Sequence, residues 1–145
     1  MTEIKEAEHS SVDAIVGIEN SSFTCPWSEK SFNDAISSDK IDVYTVVTDG
    51  EICGFYCLMI INEEAELLNI AVAASHRRHG LGDELMTHAL SLAKSRGVKA
   101  VYLEVRESNT PARRLYEKYG YIALGVRKNY YAYPRENAVV MQKQL

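Results

Sequence analysis

The most constraining stretch of the chain is a change of hydrophobic period across two glycines. "LLNIAV", Leu67 to Val72, is an apolar run of strand length. From Gly82 onward the period is helical: Leu81, Leu85, Ala89, Leu92 and Ala93 share one face, and Gly97 supplies a stop. Between the two runs lies "HRRHGLGDEL", His76 to Leu85. A strand that hands over to an amphipathic helix through a glycine turn must bury its own faces in a sheet and the helix stripe against that sheet. Helices layered on a sheet are the expected architecture.

The same junction has the makings of an anion cradle. Glycines let the backbone approach a ligand closely, and the first-turn N–H groups of the helix are unpaired and point outward. Two common phosphate loops are excluded by spelling. A dinucleotide fingerprint needs Gly or Ala three residues after its second glycine, where this chain has Leu85. A Walker loop needs four residues between its glycines and then Lys-Ser/Thr, and neither is present. A tight turn carrying exposed arginines is the competing reading, and spacing alone leaves both open.

The remainder reads as follows. "TEIKEA" is a first strand; "SSVDAIVGIENSSF" and "CPWSEKSFNDAISS" are helical, the second with Ser28 as N-cap. "VYTVVT" and "EICGFYCLMII" flank Asp49-Gly50, a strong hairpin signal, and "AELLNIAV" follows the turn at "NEE". After the central helix come a strand, "VKAVYLEV", and a helix opened by Thr110 as cap with Pro111 behind it, ending at Gly120. "YIALGVRKN" and "AVVMQKQ" close the chain as strands. The order β-α-α-β-β-β-α-β-α-β-β predicts a mixed α/β sheet, α+β in character, rather than a doubly wound parallel one.

At 145 residues, one domain spanning 1–145 is expected. A composition 46% hydrophobic and 25% charged belongs to a globular chain and not a disordered one. No apolar stretch is long enough to span a membrane, and "MTEIKEAEHSS" is too acidic and polar for a signal or transit peptide, so a cytoplasmic protein is expected. The net charge of -4 argues against nucleic acid as a partner. "NEEAE", Asn62 to Glu66, fits either a patch for a basic substrate or a solvated hairpin tip. Cys53 and Cys57 share a face of one strand about 13 Å apart, too far to bridge, and Cys25 has no evident mate. His9, His76, His79 and His88 make no metal-ligand spacing, and no metal is expected.

Taken with its neighbours, "RRHGLG", Arg77 to Gly82, resembles the R/Q-x-x-G-x-G/A pyrophosphate loop of GCN5-related N-acetyltransferases (GNAT). "PWSEKSF", "LLNIAV", "LEVRESN", "LYEKYGY" and "RKNYY", in that order, look like the bacterial ribosomal-protein-alanine N-acetyltransferases, the RimI family. The resemblance implies a single GNAT domain with a mostly antiparallel sheet of about seven strands flanked by four helices. It also implies acetyl transfer from acetyl-CoA to the α-amine of an N-terminal alanine on a small-subunit ribosomal protein. Neither nucleic acid nor a membrane is a partner in this reading, and a monomer or weak dimer is expected. Transfer to a lysine, polyamine or antibiotic amine is the alternative, and a non-catalytic acyl-CoA-binding module a more distant one.

The resemblance carries roles to particular residues. Glu104, on one face of the apolar strand "AVYLEVRE", aligns with the family's base, acting through a water; otherwise it is a strand-end glutamate paired with Arg106 or Arg77. Tyr116 aligns with the tyrosine that gives a proton to the CoA sulfur, and is otherwise a core tyrosine. The backbone of Ile70, Ala71 and Val72 is expected to run beside the cofactor, with Arg77, Arg78, His79, Gly80, Leu81, Gly82 and Asp83 around its pyrophosphate and Asn109 on its arm. Asp83 departs from the family pattern, as does Ala73-Ala74, and an acid beside a pyrophosphate is repulsive unless it turns outward. Trp27 and Tyr131 are candidate walls of a peptide groove, or core.

Overall fold

The structure is a computed structural model describing residues 1–145. Seven strands form one sheet: β1 (Thr2–Glu6), β2 (Ile41–Thr48), β3 (Glu51–Ile61), β4 (Glu64–Val72), β5 (Ala100–Arg106), β6 (Ile122–Ala132) and β7 (Arg135–Gln144). Their spatial order is β1-β2-β3-β4-β5-β7-β6, and every pairing is antiparallel except β4 with β5. The helices α1 (Val12–Ser22), α2 (Glu29–Ser37), α3 (Leu81–Ser95) and α4 (Thr110–Lys118) complete the predicted order of elements.

Local chemistry explains most boundaries. Asp49 and Gly50, both at positive φ, turn β2 into β3. Ser28 caps α2, its Oγ accepting from the Ser31 N–H at 3.1 Å. The cap of α4 differs from expectation. It is Asn109, whose Oδ1 accepts from Ala112 N–H at 3.3 Å, while Thr110 is the first helical residue. Pro111 is helical from the start, so the cap falls one residue earlier.

The sheet carries helices on both faces. Ile15, Phe32, Phe55, Cys57 and Ala71 pack together on the side of α1 and α2. Leu67, Leu85, Met86, Leu103 and Tyr116 pack on the side of α3 and α4. Cys53 belongs to the second cluster and Cys57 to the first, so the two cysteines do not share a face. The cause is a β-bulge: Val46 pairs Gly54 and Val47 pairs Ile52, leaving Cys53 as the extra residue that reverses the alternation. At Gly54 a β-carbon would lie 2.8 Å from the Ala71 carbonyl and 3.2 Å from Leu85, so α3 can sit this close to the sheet only over a glycine.

The feature that creates the site is a fork. β4 and β5 pair only from Glu64–Glu66 to Ala100–Tyr102. Beyond that, β4 stays with β3 as far as Val72, while β5 stays with β7 as far as Arg106. The two strands part in the middle of the sheet and open a gap from one face to the other.

Candidate active site

The fork opens into a cleft of about 380 Å³. Its walls come from β4 (Leu67 to Ile70), β5 (Leu103 to Arg106), the α1–α2 loop (Phe23, Thr24, Cys25, Trp27), α4 (Tyr116) and β6 (Tyr130, Tyr131). On β5, Leu103 and Val105 are buried toward α3 and α4, which puts Glu104 on the opposite face. Tyr116 approaches from the α4 side. Residues that an intact sheet would separate thus meet through the fork.

Glu104 is not left alone in apolar surroundings. Its Oε2 accepts from Arg127 Nη1 at 2.9 Å, a partner from β6, and not from Arg106 or Arg77, the pairing of the alternative reading. The reason is that β7 lies between β5 and β6, and a long side chain crosses it. Arg106 has other partners. It donates to the carbonyls of Pro134 and Tyr133, to Thr24 Oγ1 and to Glu136, and lies over the Tyr131 ring at 4.3 Å. Arg106 therefore binds the α1–α2 loop to the β6–β7 hairpin across one end of the cleft.

The Tyr116 hydroxyl is pushed up to about 12, chiefly by burial and further by neighbouring Tyr131, so it stays protonated across the neutral range. Trp27 lies half-buried against Phe32, with ring centroids 5.3 Å apart, and also lines the cleft. It therefore belongs at once to the core and to the cleft wall. Tyr131 likewise lines the cleft while stacked on Arg106.

At the other end, β4 runs into the glycine loop. Gly80, at φ +78°, sits at the N-cap of α3 with no side chain supplying a cap bond. The first-turn N–H groups of a fifteen-residue helix are therefore free, in a cradle where a β-carbon on Gly80 would be strained. This is the fit an anionic pyrophosphate needs. Arg77 does not reach over the cradle: its Nε donates to the Val72 carbonyl at 3.2 Å and its Nη2 to Ser22 Oγ at 3.4 Å. Arg78 and His79 are exposed beside the loop, and Leu81 is buried beneath it.

Asp83 is turned away. Its Oδ1 accepts from Lys118 Nζ and from the Tyr119 hydroxyl, each at 2.7 Å, which holds its carboxyl below the usual range. The charge that looked repulsive is spent on α4. Tyr119, at the end of α4, has this bond as a defined role.

Sequence reasoning missed a buried pair in the cleft wall. Glu19 is 2% exposed, and it accepts from the Trp27 backbone N–H at 2.9 Å and from Asn69 Nδ2 at 3.1 Å. Burial raises the Glu19 carboxyl, opposed by those two bonds. The signal was present: Glu19 continues the buried spacing of Val12 and Ile15, and Asn69 interrupts an apolar strand. A separate trio, Glu51, Cys53 and His76, brings three potential metal ligands within 4.8 Å of one another, but none of them lines the cleft.

A seven-stranded sheet forked at β4 and β5, with a free helix N-terminus at the fork's end, is the framework of an acetyl-CoA-dependent N-acetyltransferase. Residues 12–121 match the acetyltransferase (GNAT) family. The chain is 34% identical over 143 residues to the ribosomal protein bS18-alanine N-acetyltransferase of Escherichia coli K12, covering 97% of this chain and 96% of that one. It superposes on the crystal structure of the E. coli ribosomal-protein-S18-alanine N-acetyltransferase with a TM-score of 0.93, over 99% of this chain and 94% of that one at 34% identity. Ard1 from Thermoplasma volcanium gives 0.91 at 28% identity, covering 99% and 97%. The chain belongs to the GNAT acetyltransferases and, within them, to the RimI family of ribosomal-protein-alanine N-acetyltransferases. Acetyl-CoA is its co-substrate.

Proposed function

We propose that this single-domain protein is an N-terminal acetyltransferase that modifies the α-amine of an N-terminal alanine on a small-subunit ribosomal protein, in the cytoplasm. One observation carries the reading. The fork brings Glu104 and Tyr116, from opposite faces of the sheet, into one cleft that the α1–α2 loop and the β6–β7 hairpin bound at one end. Such a groove suits the end of an extended chain. The names of the relatives support bS18 as the acceptor.

Acetyl-CoA supplies the activated acetyl carbon. The free N–H groups from Gly80 into the first turn of α3 hold its pyrophosphate, and the unpaired edge of β4 at Ile70, Ala71 and Val72 lies along its arm. Asn109 keeps its amide nitrogen for that arm, since only its Oδ1 is used by the cap. Glu104 takes a proton from the acceptor amine through water. Tyr116 donates to the departing sulfur, its hydroxyl protonated by burial. Trp27 and Tyr131 wall the groove.

Magnitude favours an α-amine over a lysine. With pKa values near 8 and 10.4, deprotonation costs roughly 3 kcal/mol more for lysine. The deciding experiment is transfer of labelled acetyl to an alanine-starting bS18 peptide with its N-terminus free or blocked. Transfer to the free form alone supports the reading; transfer to internal lysines of the blocked peptide overturns it. Glu104→Gln turning over at the wild-type rate would remove Glu104 from the reaction.

A further inference from the structure

Acetylation of an ammonium group releases one proton overall. The amine loses two as the C–N bond forms and the C–S bond breaks, and one of these replaces the proton that Tyr116 gives to the departing sulfur. The other must reach bulk water. Glu104, the group closest to this task, is bonded to Arg127 and is only 16% exposed.

A second cavity, of about 460 Å³, lies on the far side of Glu104, lined by Met59, Ile61, Glu64, Tyr102, Arg127 and Val140 among others. It shares three residues with the cleft: Glu66, Leu103 and Glu104. The register explains why. Glu66 pairs with Tyr102 at the last rung before the fork, so its side chain lies on the same face as Tyr102 and Glu104. Glu66 and Glu104, with Leu103, form the wall shared by the two cavities, and no cation or hydrogen-bond donor is bonded to Glu66.

We propose that Glu66 is a relay residue. Glu104 receives the proton in the cleft, Glu66 takes it across the partition, and the second cavity passes it to solvent. This assigns a role to the "NEEAE" segment that neither the cofactor nor the acceptor uses. The groups facing the partition are Glu64 on β4, Tyr102 and Glu104 on β5, and Arg127 and Tyr130 on β6. Burial and the Glu104 charge together raise the Glu66 carboxyl, opposed by Arg127, which suits it to accept a proton and release it again.

The relay rests on the reading of the cleft as an acetyltransferase site, and its failure is separable from a wrong choice of acceptor, because it is measured with whichever amine the wild-type enzyme turns over. In Glu66→Gln, kcat is expected to fall on the order of tenfold to a hundredfold, with the KM values of both substrates unchanged. Small buffer bases such as imidazole are expected to restore the rate in proportion to their concentration. Glu66→Asp is expected to recover part of it without buffer. The acid limb of the wild-type pH–rate profile should lie above the ordinary glutamate value and move in the Gln variant. A wild-type kcat in Glu66→Gln overturns the proposal. So does a loss that no buffer base rescues, which would mark Glu66 as structural only.

Discussion

The two ends of the cleft are built on different principles. The end proposed for the cofactor is made of backbone: the unpaired edge of β4, the turn at Gly80 and the open first turn of α3. The end proposed for the acceptor is made of side chains from distant parts of the chain: Arg106 reaching Thr24 and Tyr133, Arg127 reaching Glu104, and Glu19 holding Asn69 and Trp27. A ligand recognised by backbone needs only the right local spacing, and the local sequence carries it. A ligand recognised by side chains depends on which strands become neighbours.

Substitutions can break this contrast at its centre or test it at either end. The largest effect belongs to the chemistry both ends serve. Tyr116→Phe is expected to lower kcat by about a hundredfold or more with CoA affinity unchanged; calorimetry with CoA beside steady-state rates separates the two.

At the acceptor end, Arg106→Ala removes every bond that ties the α1–α2 loop to the β6–β7 hairpin through this side chain. The acceptor KM is expected to rise about tenfold or more, while the Kd for CoA stays put. A matched loss of CoA binding would mean the two ends are not separable.

The mirror experiment is Gly80→Val at the cofactor end. A β-branched residue at φ +78° is strained by roughly 1–2 kcal/mol, so CoA binding should weaken about tenfold, with acceptor KM intact.

The smallest effect is the sharpest. Asp83→Asn should leave CoA affinity within about twofold, because the charge is already committed to Lys118. Lys118→Ala leaves that charge beside the cradle. It should weaken CoA binding a few-fold, and added salt should erase the difference. Equal behaviour of the two variants would show that Asp83 acts on the cofactor directly.

Elements that depend on near neighbours were legible in the sequence. The order of strands and helices, the Asp49-Gly50 turn and the Ser28 cap all follow from residues a few positions apart. The errors were of two kinds. Some were local competitions decided by a single position, such as Asn109 taking the cap from Thr110. Others came from alternation assumed unbroken, as when the bulge at Cys53 sent two cysteines to opposite faces.

Partners were the least legible of all. The only ion pair the sequence offered for Glu104, as the alternative to a catalytic role, was with Arg106 or Arg77, and its partner is Arg127. Asp83 looked misplaced until α4 packed over it. Glu19 and Asn69 could have been flagged as polar residues in buried positions, though not as a pair.

By itself the sequence determined the layered fold, the family and the glycine turn that opens α3, because hydrophobic period, turn residues and glycine spacing act over short distances. Only the tertiary structure decided where the sheet forks, which cation faces Glu104 and where Asp83 spends its charge. Those depend on the register between strands far apart in the chain, and register is fixed by the packing of the whole sheet.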